Sequence, residues 1–438
     1  MNHHDSRSIA RNIGIFGGAQ AFTVLAALVR TKVAAVAIGS AGVGLSALYN
    51  TSVTFFGNLS GMGLSFSSVK FLSEVYAEGD ENKLREEVRK IRSLGLVSAM
   101  LGVLFAVIFS PVLSRLYFGD FEHILPFALL SIFVATVIIS GIELAVLKSC
   151  RKIRQMAIST IWAAVVSVVI SVPFYIYKGI DGVLWAVSIS GVSELLLTIY
   201  YGHRAVSTPY VLPKLFGHKD TLAMLIHDKR QMLILGLAFL GGSVIASGAE
   251  MVIQAYFSAI ASIAVLGLYK AGYQLSITYT GMIFAAVNND FYPRLSAVNN
   301  NKEERNDLIS RQIKVLLMIT TPLVALFIVL VPYILPILFD DTFNPICRMV
   351  QFASLSIIVK SVTMPLSFMP LSLGKSKHYL LLEGLFWLLL IPCVMVGYRF
   401  GGLDGTGLAI LVCHVVELIY IYAFCKSRYG FAVTIGKA

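Results

Sequence analysis

Long apolar windows alternate with short polar ones from one end of the chain to the other. Twelve windows reach the ~20 residues that a helix needs to cross a bilayer. They lie at 10–37, 41–68, 93–117, 124–147, 156–178, 181–202, 231–258, 262–288, 313–338, 347–373, 379–400 and 404–425. Inside each window the apolar positions run on without the ~10-residue alternation of a membrane β-barrel, so that architecture is excluded. The first window follows a short polar stretch, Met1 to Arg11, and ends without a small-residue cleavage site, which predicts a spanning helix and not a removed signal. The second holds Gly57, Gly61 and Gly63, small residues suited to close helix contact in lipid.

Composition agrees with the pattern. Of 438 residues, 57% are hydrophobic and 13% charged, against about 45–50% and about 25% in soluble domains. A soluble enzyme is excluded, as is a single-pass receptor. The +11 net charge is explained by topology. Placing both termini and every even-to-odd gap on one side collects 27 of the 35 Lys and Arg residues there, whereas the opposite side holds only Arg115, Lys178, Arg348 and Arg399. The positive-inside rule makes the crowded side, and both termini, cytoplasmic. The excess cations then meet anionic lipid headgroups, and no nucleic acid is called for. Five cysteines show no metal or redox spacing and read as small hydrophobes. No cofactor is expected.

Two cytoplasmic segments are long. Glu74 to Arg92 carries mixed charge with Leu84, Val88 and Ile91 at helical spacing, which predicts a short helix lying on the membrane face. His203 to Arg230, with Pro209 and Pro213, falls at the midpoint and reads as a linker.

The two halves repeat. Gly179 to Val187 reads GIDGVLWAV, and 223 positions later Gly402 to Ile410 reads GLDGTGLAI. The same offset aligns Glu194-Leu195 with Glu417-Leu418, Lys152 and Arg154 with Lys375 and Lys377, Leu72-Ser73 with Leu295-Ser296, and Gly44-Leu45 with Gly267-Leu268. An offset of 221 brings PVLSRLYFGD from Pro111 onto PYILPILFDD from Pro332. The expected fold is therefore an all-α polytopic membrane protein, about twelve transmembrane helices in two parallel six-helix bundles around a central cavity. The bundles are 1–202 and 231–438, joined by a cytoplasmic linker at 203–230. Parallel repeats place a substrate site between the halves near mid-depth, the arrangement of an alternating-access transporter and not of an enzyme.

Ionisable groups at membrane depth are costly and point to function. Arg30 and Lys32 are about 200° apart around a helix, so one lines a cavity while the other pairs or snorkels. Glu250 falls opposite Ala27 in the repeat, one turn from Arg30, and reads either as an ion-coupling acid or as half of a fixed salt bridge. Lys360 sits mid-helix ahead of Pro365 and Pro370. His414 and Glu417, three apart on one face, form either a proton-responsive pair or, given the symmetry of Glu194 with Glu417, a packing device. Glu143 and Glu383 lie near cytoplasmic ends, within reach of Lys148 and Lys377. Arg30, Lys32, Lys270 and Lys360 against Glu250 make the interior cationic, which favours an anionic substrate over a cationic drug.

The segments GLYKAG from Gly267 and NDFYPRLSAV from Asn289 resemble the GLYQA and DFYPRL signatures of bacterial O-antigen translocases. These are polysaccharide flippases of the multidrug/oligosaccharidyl-lipid/polysaccharide exporter superfamily. Arg30-Thr31-Lys32 ahead of GSAGVG at Gly39 is similar too, and the resemblance runs along nearly the whole chain. Lys270 departs from it, standing where a neutral Gln is common. The resemblance implies movement of an undecaprenyl-pyrophosphate-linked oligosaccharide, an O-antigen or other lipopolysaccharide or surface polysaccharide unit, across the bacterial inner membrane. H+ or Na+ would drive it, and a polysaccharide polymerase and a chain-length regulator would be partners. Arg30, Lys32, Lys270 and Lys360 would then contact substrate, and Glu250, His414 and Glu417 would couple the ion. Asp290 and Arg294 would form a cytoplasmic gate, or else only a helix terminator with a surface ion pair. The alternatives are a cation-coupled exporter of small molecules and a polysaccharide polymerase or ligase, whose large periplasmic loop is missing here. The GxxxDRxGRR pattern of the major facilitators is missing as well.

Overall fold

The computed structural model describes residues 3–213, 221–278, 281, 284, 291–292, 294–298 and 301–433, with side chains from residue 17 onward apart from 238, 239 and 278. Regular structure among them is entirely helical. In chain order the helices are α1 His3–Ser60, α2 Leu64–Glu78, α3 Glu81–Phe118, α4 Ile124–Ser149, α5 Ile153–Lys178 and α6 Gly182–Ala205. They continue with α7 Leu222–Asp228, α8 Arg230–Ile260, α9 Ile263–Tyr273, α10 Lys302–Leu338, α11 Cys347–Ser372 and α12 Ser376–Tyr429. The described residues include 8 stretches long and apolar enough to cross a membrane. Three of these, Gly17–Ser60, Ile153–Ala205 and Ser376–Tyr429, each hold two expected spans. They divide at Gly39, at Gly179 and at Gly401-Gly402, where the backbone leaves helical geometry.

The repeat read from sequence recurs in the backbone. Gly179 adopts φ 59°, ψ −136° and Gly402 φ 58°, ψ −141°, a region open to glycine and strained for other residues. The link after α4 is copied after α11. Lys152 N donates to Leu147 O at 2.9 Å and Lys375 N to Pro370 O at 2.8 Å, with Arg151 (φ 55°) and Gly374 (φ 70°) as the left-handed residues between. Both close a helix end by the six-to-one bond of a Schellman cap. The 221 offset is visible as well. Asp80 caps α3 through the amides of Asn82 and Lys83, and Asn301 caps α10 through those of Glu303 and Glu304.

Packing groups Met1–Ile263 into one unit and Ala264–Ala438 into another. In the first, α8 lies along the first bundle through a polar seam. Asn58 Nδ2 donates to Ser243 O and Ser247 Oγ, both at 3.4 Å, and Gln254 Nε2 to Thr51 Oγ1 at 2.6 Å; Ser258 Oγ donates to Tyr117 O. Gly63 and Gly236 touch backbone to backbone: a Cβ on Gly63 would collide with Gly236, and one on Gly236 with the carbonyl of Met62. By sequence α8 copies the start of the chain, whereas in packing it belongs with the unit it copies.

Two expectations change. The segment to Arg92 is not a separate surface helix but the start of the 38-residue α3. Leu84, Val88 and Ile91 face inward and are buried. Helical spacing reads the same whether the apolar stripe meets lipid or protein, and no breaker separates the segment from the span that follows. Glu143 does not pair with Lys148. Its two oxygens accept from Arg92 Nε and Nη2, each at 2.7 Å, and both side chains are 0% exposed. Arg92 Nη1 also donates to Val206 O (3.0 Å), Thr208 O (2.7 Å) and Thr208 Oγ1 (2.6 Å), while Tyr210 Oη donates to Glu143. The start of the linker is thus strapped to the bundle. Burial and the Glu143 carboxylate push the Tyr210 phenol above its ordinary range. A Cβ at Gly202 would collide with the Glu143 carboxylate, so any larger residue there must displace the ion pair.

In the second unit Arg305 Nη2 donates to Tyr429 O at 2.9 Å and Asn306 Nδ2 to Gly430 O at 3.2 Å. Tyr429 corresponds to Val206 in the repeat, so each half holds the chain leaving its sixth span by an arginine near the start of its third, Arg92 or Arg305.

Breaking a buried ion pair from one side strands a charge, at a cost of roughly 3–5 kcal/mol, whereas replacing both partners with apolar groups is often neutral. Glu143→Gln is therefore expected to lower stability by roughly 3–5 kcal/mol, and an Arg92→Met, Glu143→Leu double substitution to recover most of it. Thermal unfolding of the purified protein in detergent checks this. Equal loss in the single and double variants would refute the stranded-charge account.

Candidate functional site

Each unit holds its own intramembrane charge cluster. In the first, Arg30 lies on α1 about two turns before the Gly39 break and is half-buried. Its Nη1 donates to Ser167 Oγ of α5 at 3.0 Å, and its charge acts on the carboxyl of Glu194 on α6. Lys32, two residues on, is exposed, so the pair divides as helix geometry requires. Glu250 on α8 is half-buried, and its charge acts on the buried Tyr117 of α3, whose Oη accepts from Ser52 Oγ at 3.5 Å.

In the second unit Lys360 on α11 is half-buried, and its charge acts on both His414 and Glu417 of α12. Glu383, from the first half of α12, acts on Glu417 with the opposite sign and accepts from Trp387 Nε1 at 3.3 Å, not from Lys377. His414 is buried, edge-on to Phe386 at 5.0 Å, and its Nδ1 lies 2.9 Å from Ile410 O. A carbonyl only accepts, so Nδ1 carries the hydrogen. Glu417 Oε2 is buried and has no hydrogen-bond partner. Lys270 on α9 is half-buried, with Nζ 5.8 Å from the centre of the Tyr273 ring. Of the expected gate, Arg294 is exposed on a helical stretch and Asp290 lies outside the described residues.

The structure thus sets His414 and Glu417 in the field of Lys360, sets Glu194 in that of Arg30, and gives Arg30 a hydrogen-bond partner that the sequence did not single out, Ser167. Glu194 was visible as the repeat copy of Glu417, but nothing linear ties it to a residue 164 positions earlier. The Arg92–Glu143 pair did leave a signal: both residues stand near the polar link ends of adjacent spans, on the same side of the membrane and hence at similar depth. Each half thus carries a carboxyl on its last helix, Glu194 on α6 and Glu417 on α12, within the field of a cation, Arg30 or Lys360. Among the described residues no three His, Cys, Asp or Glu side chains converge as a metal cage.

At the start of α3 in the first unit Lys90 meets Glu86 (2.9 Å), Glu87 (3.3 Å) and Asp228 (3.3 Å), and Lys229 meets Glu87 and Asp228. Burial raises the Asp228 carboxyl, but Lys229 and Lys90 outweigh it and hold the group below the usual carboxylate range. This network fixes the start of α8 to the extension of α3.

No curated protein matches the sequence. Among solved structures, an inward-facing multidrug resistance MATE family transporter of the MOP superfamily is similar at TM-score 0.75 and 14% identity, covering 93% of this chain and 94% of that one. The lipid II flippase MurJ, in an inward closed conformation, is similar at TM-score 0.73 and 14% identity, covering 94% and 87%. A MOP superfamily transporter from Pyrococcus furiosus, described by the reverse polarity of its binding pocket, follows at TM-score 0.64 and 13% identity, covering 96% and 94%. At these identities the likeness is one of fold: the all-α fold of MOP superfamily transporters. A family model described as polysaccharide biosynthesis protein matches residues 39–348. With most of its length under that match, and with the fold of flippases and exporters, the chain belongs to the polysaccharide biosynthesis protein family.

Proposed function

We propose that the protein is an alternating-access flippase that moves an undecaprenyl-pyrophosphate-linked oligosaccharide, an O-antigen or related surface polysaccharide unit, between the leaflets of the bacterial inner membrane. The observation that carries this reading is the set of cations at membrane depth, Arg30, Lys270 and Lys360, in a chain of the polysaccharide biosynthesis family. A pyrophosphate crossing ~30 Å of hydrocarbon needs compensating charge near mid-depth. A lipid II flippase of similar fold supports a lipid-linked cargo. Arg30 and Lys360 meet the pyrophosphate, Lys270 and Lys32 contribute to the cationic surface, and transport is driven by H+ or Na+ through Glu250, His414 and Glu417. Both termini are cytoplasmic, 1–202 and 231–438 rock about the 203–230 linker, and the DFYPRL segment with Asp290 and Arg294 gates the cytoplasmic side. Polymerase and chain-length regulator act on the released product. The second reading, a cation-coupled exporter of small molecules, is favoured by the likeness to a MATE transporter. A cationic drug would, however, face cations.

Reconstitution with a fluorescent lipid-linked oligosaccharide, scored for leaflet transfer with and without an imposed gradient, tests the reading. Arg30→Glu and Lys360→Glu are each expected to slow transfer by at least about tenfold, equivalent to about 1.4 kcal/mol, at normal abundance. Unchanged transfer in either would remove that residue from the substrate path. Glu250→Gln is expected to transfer without response to pH or sodium; a fixed salt bridge would instead lower stability and leave the gradient dependence intact. Replacing Asp290 and Arg294 together by Ala should shift the inward–outward balance in accessibility labelling, and an unmoved balance would dismiss the gate.

A further inference from the structure

Each half ties the chain leaving its sixth span to an arginine, but only the first supplies that arginine with a counter-ion. Arg92 has the two carboxylate oxygens of Glu143. Glu143 and Gly202, which makes room for it, correspond at the 223 offset to Leu366 and Cys425, and these touch through Cys425 Sγ and Leu366 O at 3.6 Å. Arg305 is nonetheless only 6% exposed. Apart from the bond to Tyr429 O its guanidinium has no partner among the described residues: Nε is sealed in, and Nη1 stays open to solvent. Lys302, one turn earlier on the same face, lies against Gly430, where a Cβ would collide with its Nζ. Neither cation makes an ion pair among the described residues, and Glu303 and Glu304 are exposed on other faces of α10. The C-terminal end of α12 offsets about half a charge, so most of the two positive charges remains uncompensated.

We infer that Arg305 and Lys302 form a binding site for the phosphate of an anionic phospholipid. A guanidinium taken out of water persists only beside a counter-charge, and the second half has put Leu366 where the first holds its carboxylate. Height selects the source of the phosphate. Tyr429 lies four residues past the apolar window 404–425, about 6 Å at 1.5 Å per residue. That distance falls within the headgroup layer, roughly 5–8 Å deep on each face of a bilayer. Arg305 stands further from its own window, but its side chain reaches to Tyr429 O at 2.9 Å. Lipid phosphates already crowd that layer, so a phosphodiester oxygen meets Nη1 and Lys302 Nζ without leaving the membrane surface. The bound lipid does for α10 and α12 what Glu143 does for α3 and the linker. It differs in being exchangeable, so the fastening at the end of α12 tightens as the anionic lipid content rises.

Thermal unfolding of the lipid-stripped protein in detergent tests the site, with phosphatidylglycerol, phosphatidylcholine or sodium phosphate added, and native mass spectrometry counts the lipid retained. Phosphatidylglycerol should raise the unfolding temperature of the wild type and phosphatidylcholine should not. Arg305→Gln should weaken phosphatidylglycerol retention by about tenfold or more, and Lys302→Met by less. Replacing Lys426 and Arg428, exposed cations on the same helix end, by Gln should leave retention unchanged. Arg305→Gln also gives up the bond to Tyr429 O, so the increment due to lipid is compared and not the lipid-free baseline. Should that variant not fold, Lys302→Met, at an exposed position, reads the same site. Equal shifts with the two lipids in the wild type, or a phosphatidylglycerol shift that survives both variants, overturn the proposal. So does an equal loss in the Lys426 and Arg428 variant, which would mean diffuse attraction, or a full shift with sodium phosphate alone, which would mean a site for free phosphate.

Discussion

Inside hydrocarbon no water is available to a backbone N–H or C=O, so each must find its partner within the chain. That requirement settles most of this structure. It makes every membrane-length stretch a helix, pushes irregular backbone to the ends of spans, and confines left-handed geometry to links such as Gly179 and Gly402. It also makes those links reproducible. Where a helix must end within a few residues of the apolar layer, few hydrogen-bond patterns close it, and the two halves use the same one after α4 and after α11.

Side-chain charges face a harsher form of the same constraint, and the two units meet it differently. Arg92 and Glu143 satisfy each other completely and borrow three further oxygens and a phenol, which makes them a fixed fastening. Glu417, in the field of Lys360, keeps Oε2 buried without a hydrogen-bond partner. A fully bonded pair resists change, whereas an incompletely bonded one is poised for a new partner.

Spans, their breaks and the repeat were legible in the sequence because they depend on local signals: apolar length, glycine, proline and the side on which lysine and arginine fall. The stripe of Leu84, Val88 and Ile91 was legible as a helix but not as the inner face of α3, since periodicity does not say what covers an apolar face. Partners were harder. Ser167 lies 137 residues from Arg30 and Glu143 lies 51 from Arg92, and a single sequence contains no record of which distant pairs meet. The packing of α8 with the first unit was equally hidden, because its seam is made of Asn, Gln and Ser that read as ordinary small polar residues within a span.

The fastening at Arg92 also sets an order on synthesis. α3 and α4 form a hairpin, so Arg92 and Glu143 meet as soon as both have entered the bilayer. Val206, Thr208 and Tyr210 arrive only after two further spans have been made. Until then Arg92 Nη1 lacks its three oxygen acceptors and Glu143 its phenol donor. A ribosome that stalls, or a reading frame that ends, after α4 but before residue 206 leaves a fragment of four to six spans with an unsatisfied charge cluster at one edge of its membrane layer. Membrane quality control that recognises exposed charge would meet that cluster in every incomplete copy and in none that has been finished.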